Sequence, residues 1–393
     1  MVARFGTEAR FFGEVWPRLV EVALAMPRLF PRGELPVLGC EGVGEVVLSR
    51  RQVGCLVVHL FLRTVVVPWW KEGEPEGEGL HDFGVWYGTE GQRQVGAVRV
   101  YLEALMGYFE EVVCPLAVGG LDDEGWVVRY TLRSVEELEF RELLRAGCAL
   151  GEVEVEVVER FDTGPRSLGM PGGAAVVAAN KYIGFGQSAT QEEVHVGSSP
   201  EACPAVLITP PLRDDQVVII RGAQAMVNVT GQRRDIKAEE MPVPDDGLSA
   251  WRERTMLFMD ALEMDMVEPG DSLPDFVPAN LSRELRKSYT AFSTCGIREV
   301  RTGLWGCGAF CGDPGIKILL LWLAASLACT KLVVVCDGEG RDFAVKFRCL
   351  VKKALAVVRD TTDLWELLNQ APASLAKGKT LPWIVEQLEK RQH

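Results

Sequence analysis

Apolar residues recur every three to four positions through much of the first 145 residues, the spacing that gathers them on one face of an α-helix. The stretches "EARFFGEVWPRLVEVALAMPRLF" (8–30), "VGCLVVHLFL" (53–62) and "AVRVYLEALMGYFEEVV" (97–113) carry it. Pro17 and Pro27 are expected to start or end segments, because proline lacks the helical N–H. Ser49 with Gln52, and Ser134 with Glu137, have capping-box spacing ahead of helical runs. "EGEPEGEG" (72–79) reads as an exposed acidic loop. From about residue 150 the pattern changes. "EVEVEVV" (152–158) alternates strictly, and short apolar runs follow at 174–179, 216–220, 255–261, 298–305 and 331–335, with helical patterns at 279–292 and 314–329 between the later ones. Strands alternating with helices predict an α/β protein whose mixed or parallel sheet is covered on both faces. In such sheets ligands bind at the carboxyl ends of the strands.

Composition narrows the class. The longest apolar run, Ile318 to Thr330, is too short to cross a bilayer, and the first residues carry acids where a signal peptide does not. An intracellular protein is expected. Eleven cysteines, an odd number scattered from Cys40 to Cys349, suit buried thiols better than a disulfide framework. Cys307 and Cys311 have no second pair or nearby histidine, so no metal is expected. A formal charge of −13 argues against broad nucleic-acid binding. An anionic ligand has to be held by backbone dipoles or a few local cations.

Two glycine-rich loops follow strands. "WGCGAFCGDPG" (305–315) precedes the most hydrophobic helix, with Asp313 placed to cap it and Pro314 at its first position. Its glycines suit either a phosphate cradle or a tight turn serving packing alone. "GFGQSATQEEV" (184–194) contains G-x-G-x-x-A, the dinucleotide fingerprint. However, "GQSATQ" is a poor helix opening and acids follow within seven residues, so an oxidoreductase is disfavoured. Glu192 and Glu193 are adjacent and must point apart: one can enter a site while the other braces it. The plain alternative is a solvated surface tripeptide.

Taken together, "AAN" (178–180), "GFG" (184–186), "QEE" (191–193) and "WGCGAFCGD" (305–313) resemble the poly(ADP-ribose) glycohydrolases, whose signature is F-A-N, a glycine triplet, a spacer and Q-E-E, followed later by W-G-C-G-A-F-G-G-D. The helix pattern 273–292 and the run "LSRRQVGCLVVHLFL" (48–62) are also similar, and the resemblance spans about 10–355. It implies a macrodomain, an α/β fold with a mixed central sheet between helices, preceded by a helical accessory region. The expected division is 1–145 accessory, 146–358 catalytic and 359–393 amphipathic helices packed on the catalytic domain. The resemblance further implies hydrolysis of ribose–ribose O-glycosidic bonds in poly(ADP-ribose), releasing ADP-ribose without cofactor or metal. By the same resemblance, Glu193 matches the acid/base and Glu192 the residue that positions a ribose hydroxyl. Asn180 matches the asparagine near the scissile ribose, Gly184, Phe185 and Gly186 the loop around the distal ribose and diphosphate, Gln191 a substrate-binding residue, and Gly306, Cys307, Gly308, Ala309 and Phe310 the diphosphate loop.

Departures from the family are a Phe at 185 inside the triplet, a shorter spacer, Val177 in place of an acid and Leu304 in place of an asparagine. The adenine-stacking positions align near Val229 and Cys336, which cannot stack; Phe161 and Asp162 are the expected substitutes. The expected partners are poly(ADP-ribose), ADP-ribose and poly(ADP-ribosyl)ated proteins, met by a monomer in the nucleus or cytoplasm as part of a DNA damage response, with no membrane or direct nucleic-acid contact. The alternatives are a non-catalytic ADP-ribose reader and, further off, a structural scaffold.

Overall fold

The computed structural model describes residues 8–71, 81–88, 94–120, 125–232, 235–267, 273–372 and 374–392; the acidic stretch 72–79 lies outside them. Ten strands are described: β1 (Glu45–Ser49), β2 (Val127–Ser134), β3 (Val153–Val157), β4 (Ala174–Ala179), β5 (Gln216–Arg221), β6 (Asn228–Thr230), β7 (Lys237–Glu239), β8 (Thr255–Asp260), β9 (Glu299–Thr302) and β10 (Lys331–Cys336). Eight form one mixed sheet in the order β1-β2-β5-β8-β4-β9-β10-β3, and β6 and β7 form a separate ribbon. The β1–β2, β2–β5 and β5–β8 pairs are antiparallel. From β8 through β4, β9 and β10 to β3 every pair is parallel. These five strands therefore end at one edge, where the loops after β3, β4, β8, β9 and β10 meet.

Alternation along the strands divides the interior in two. Val177, Val218, Ile220, Met256 and Phe258 face a core shared with the N-terminal helices, among them α1 (Trp16–Leu24), α2 (Arg50–Leu62) and α3 (Val95–Tyr108). Their neighbours Val176, Val217, Ile219, Leu257 and Met259 face a second core. That core is built with α4 (Glu137–Ala146), and with α6 (Pro278–Phe292), α7 (Pro314–Leu327) and α8 (Arg341–Val357) beyond the short α5 (Gln191–Gly197). Every residue of α7 from Gly315 to Leu327 is buried, because the helix is wrapped on all sides. Helices α9 (Thr361–Asn369) and α10 (Thr380–Gln392) close over it through Leu364, Leu367, Leu368, Ile384 and Leu388. Each fully buried Leu or Ile contributes roughly 1.5–3 kcal/mol.

The N-terminal part is mostly helical, as expected, but two of its segments, β1 and β2, belong to the central sheet. Val128 and Tyr130 point inward from β2 in a short alternation that flanking helical patterns mask. Ser134 ends that strand, and α4 starts behind Glu136 with no side-chain cap, so the 134/137 box does not form. The Ser49–Gln52 box does form, with the Gln52 amide donating to Ser49 Oγ at 3.3 Å and the Ser49 amide to Gln52 Oε1 at 2.9 Å.

Candidate active site

The first loop leaves the carboxyl end of β4 and returns as α5. Gln191 ties the two together: its Oε1 accepts from the Ala178 amide at 2.5 Å and its Nε2 donates to the Val176 carbonyl at 2.7 Å. Both ends of the Gln191 amide thus serve the backbone of β4. Contrary to the sequence expectation, the segment is a good helix opening. Thr190 caps α5 in a capping box closed by Glu193, a pattern hidden because Thr190 precedes only a short helix.

The adjacent acids separate as their spacing required. Glu192 is buried, and accepts from the Asn180 amide at 2.8 Å and the Gly184 amide at 3.0 Å. Burial raises its carboxyl to about 8; the two amides and the ammonium of Lys71 oppose the shift, and the Glu193 charge adds to it. Glu193 is half-buried, and its Oε2 accepts from the amides of Ser188 at 2.7 Å and Thr190 at 3.0 Å. Its Oε1 lies against Gly186, where a β-carbon would sit 2.0 Å away. Gly186 is therefore a close-approach glycine. Asn180 turns its Oδ1 to the Tyr182 amide at 2.9 Å and its Nδ2 toward Glu263, in the loop after β8, at 3.4 Å.

Phe185 does not face the site surface. Its ring is buried against Phe83 and Trp86, with centroids at 5.0 and 5.3 Å. A side chain at this second triplet position is accommodated because a 3-10 turn (Phe83–Trp86) supplies an aromatic pocket. Lys71 also comes from the N-terminal part of the chain. It is buried, and its ammonium is lowered to about 8 by burial, against the pull of the Glu192 carboxylate. No local pattern marks Lys71 or Trp86 in sequence; they reach the site only through tertiary packing.

The second loop follows β9 at the same edge. Trp305 anchors it, with Nε1 donating to the Met259 carbonyl at 2.9 Å. Gly306 has φ +73°, and a β-carbon there would meet Ala261 at 2.6 Å. Gly308 and Ala309 are exposed, Cys307 and Phe310 half-buried. The amides of Gly308, Ala309 and Phe310 have no backbone acceptor among the described residues. Beneath the loop Lys317 forms a buried ion pair with Glu284. Asp313, as expected, caps α7, accepting from Ile316 at 3.0 Å; its other oxygen takes the Gly378 amide at 2.6 Å. Lys377 Nζ donates to the Cys311 carbonyl at 2.5 Å. The C-terminal segment thereby clamps this loop.

Asp162 stands beyond β3, bridged to Thr230 and accepting from the Gly164 amide at 2.8 Å. Phe161 is half-buried against the first core, and Val229 and Cys336 are buried. Among the described residues no group of three or more His, Cys, Asp and Glu is placed to hold a metal ion.

Residues 165–341 match the family "Poly (ADP-ribose) glycohydrolase (PARG), Macro domain fold", and residues 5–128 match "Poly (ADP-ribose) glycohydrolase (PARG), helical domain". Together they cover more than half of the chain. The chain is 26% identical over 190 residues to poly(ADP-ribose) glycohydrolase 1 of Caenorhabditis elegans, covering 44% of this chain and 24% of that protein. To poly(ADP-ribose) glycohydrolase 2 of the same worm it is 27% identical over 176 residues, covering 41% of this chain and 36% of that protein. The match thus spans well under half of either worm protein. To "Probable poly(ADP-ribose) glycohydrolase 2" of Arabidopsis thaliana it is 22% identical over 373 residues, covering 81% of this chain and 70% of that protein. Among solved structures, the poly(ADP-ribose) glycohydrolase of Thermomonospora curvata aligns with TM-score 0.36 at 14% identity, over 76% of this chain and 99% of that one. The Deinococcus radiodurans enzyme in complex with ADP-ribose aligns with TM-score 0.34 at 17% identity, over 57% and 94%.

Proposed function

The chain belongs to the poly(ADP-ribose) glycohydrolase family, and from that premise we propose that it hydrolyses ribose–ribose O-glycosidic bonds of poly(ADP-ribose), releasing ADP-ribose, with Glu193 as the acid/base. The observation that carries this reading is the division of labour between adjacent carboxylates. Glu192 is held by the amides of Asn180 and Gly184, whereas Glu193 keeps one oxygen against Gly186 on a loop at the ligand-binding edge of the sheet.

Glycosidic cleavage passes through an oxocarbenium-like state in which the leaving oxygen gains a proton and the incoming water loses one. Glu193, in its protonated form, gives its proton to the departing ribose oxygen. As a carboxylate it then takes a proton from the water that attacks the anomeric carbon, which restores the starting state. Such acid/base help contributes about 10²–10⁴-fold. Glu192 orients a ribose hydroxyl, Asn180 stands near the scissile ribose, and Gly184 and Gly186 line the distal ribose. Gly308, Ala309 and Phe310 offer main-chain amides to the diphosphate, and such charge-assisted hydrogen bonds contribute roughly 1.5–3 kcal/mol each. That supplies in part the positive potential missing from a chain of net charge −13.

The same reading makes poly(ADP-ribosyl)ated proteins the macromolecular partners and places the protein, as a monomer, in the DNA damage response of nucleus or cytoplasm. No helix among the described residues is long and apolar enough to cross a membrane. The test is release of free ADP-ribose from purified poly(ADP-ribose), with ADP-ribose binding measured in parallel. Turnover is expected; binding without turnover would make the protein a reader.

A further inference from the structure

We propose that Trp86, in the N-terminal part of the chain, is a positioning residue for Glu193, acting through the Gly186 carbonyl; the inference rests on the proposed hydrolase reading. Trp86 is 2% exposed, and its Nε1 donates to the Gly186 carbonyl at 2.9 Å. Its ring stacks on Phe83 at 4.6 Å with the planes 9° apart, and packs on Phe185 at 5.3 Å, the three rings forming one cluster. The turn grips the loop a second time, because Gln187 Nε2 donates to the Val85 carbonyl.

The far end of the same loop is held by the carboxylate itself, since the amides of Ser188 and Thr190 both donate to Glu193 Oε2. Residues 186–190 thus form a short bridge with Trp86 and Val85 at one end and Glu193 at the other. Within it Ala189 has φ +57°, a left-handed conformation that an L-residue keeps only where its surroundings impose it. Gly186 is also the surface against which Glu193 Oε1 rests. Letting Gly186 rotate would therefore move both contacts that aim the carboxylate. A misplacement of about 1 Å is enough to cost on the order of 10²-fold in rate.

The experiment compares the wild type with Trp86→Phe, and with a benzothienylalanine at position 86 that keeps the shape of indole but lacks its N–H. Turnover of poly(ADP-ribose), ADP-ribose affinity and amide hydrogen exchange at Ser188 and Thr190 are measured on all three. The expected result is a fall in kcat of about tenfold or more with KM and ADP-ribose affinity little changed, and faster exchange at the two amides. The benzothienylalanine protein guards against simple misfolding of the phenylalanine variant. Unchanged exchange and unchanged kcat in a folded variant would overturn the proposal. So would a loss confined to KM. If the wild type itself fails to turn over, the hydrolase reading falls, and the exchange measurement still decides whether Trp86 holds the carboxylate.

Discussion

Gly186 and Glu193 are in such close contact that a β-carbon on the glycine would lie 2.0 Å from Glu193 Oε1 and 2.9 Å from its Cδ. The glycine is needed for approach rather than for a left-handed backbone, since Gly186 is absent from the positive-φ positions of the described chain. Gly186→Ala must therefore displace the carboxylate or the loop. The expected outcome in a turnover assay is a loss of kcat on the order of 10²-fold, with ADP-ribose affinity reduced much less.

Glu192 gives a pH dependence with a definite sign. Its folded-state pKa is raised by burial from 4.5 to about 8, so the folded state binds this proton more tightly than the unfolded one. The associated stability is fully present below about pH 4.5 and is lost as pH rises toward 8. Lys71, lowered from 10.5 to about 8, acts in the adjoining window, where stability returns as pH rises from about 8 to 10.5. Thermal unfolding between pH 5 and 8 should show a smaller decline for Glu192→Gln than for the wild type. Equal slopes would remove Glu192 as the group responsible.

Cys311 stands where the family pattern has glycine, and its backbone has φ +57°. A side chain in that region costs about 1–2 kcal/mol, partly offset by the greater freedom glycine gives the unfolded chain. Cys311→Gly is expected to stabilise the protein by roughly 0.5–1 kcal/mol in denaturant unfolding, without loss of turnover.

Asp313 is fully buried, and its two oxygens hold separate parts of the chain, the first turn of α7 and Gly378. Asp313→Ala removes a helix cap, leaves the buried Ile316 amide without its acceptor and frees the Gly378 amide. The expected cost is about 2–3 kcal/mol by chemical denaturation, together with weaker ADP-ribose binding as the 306–313 loop loosens.

These relationships divide into those that the sequence displays and those that only folding creates. Most of the parallel strands were legible as short apolar runs and β3 as a strict alternation, and the two loops because their glycines and acids sit at fixed spacing. β1 and β2 were not, because a two-sided helical context surrounds them and β2 alternates over only a few positions. Lys71 and Trp86 lie about a hundred residues before the loop they serve and carry no periodic signal. Gly378 lies 65 residues after Asp313, so the clamp from the C-terminal segment could not be read from either stretch. Phe185 was visible as a departure, yet where its ring goes depends on Phe83 and Trp86.

The central claim is that one carboxylate, Glu193, performs the proton transfers. The most direct measurement is release of ADP-ribose from purified poly(ADP-ribose) by the wild type and by Glu193→Gln, with ADP-ribose affinity determined for both. The account predicts turnover by the wild type and a loss of about 10²-fold or more in the variant, with affinity retained. Undiminished release by Glu193→Gln would contradict it.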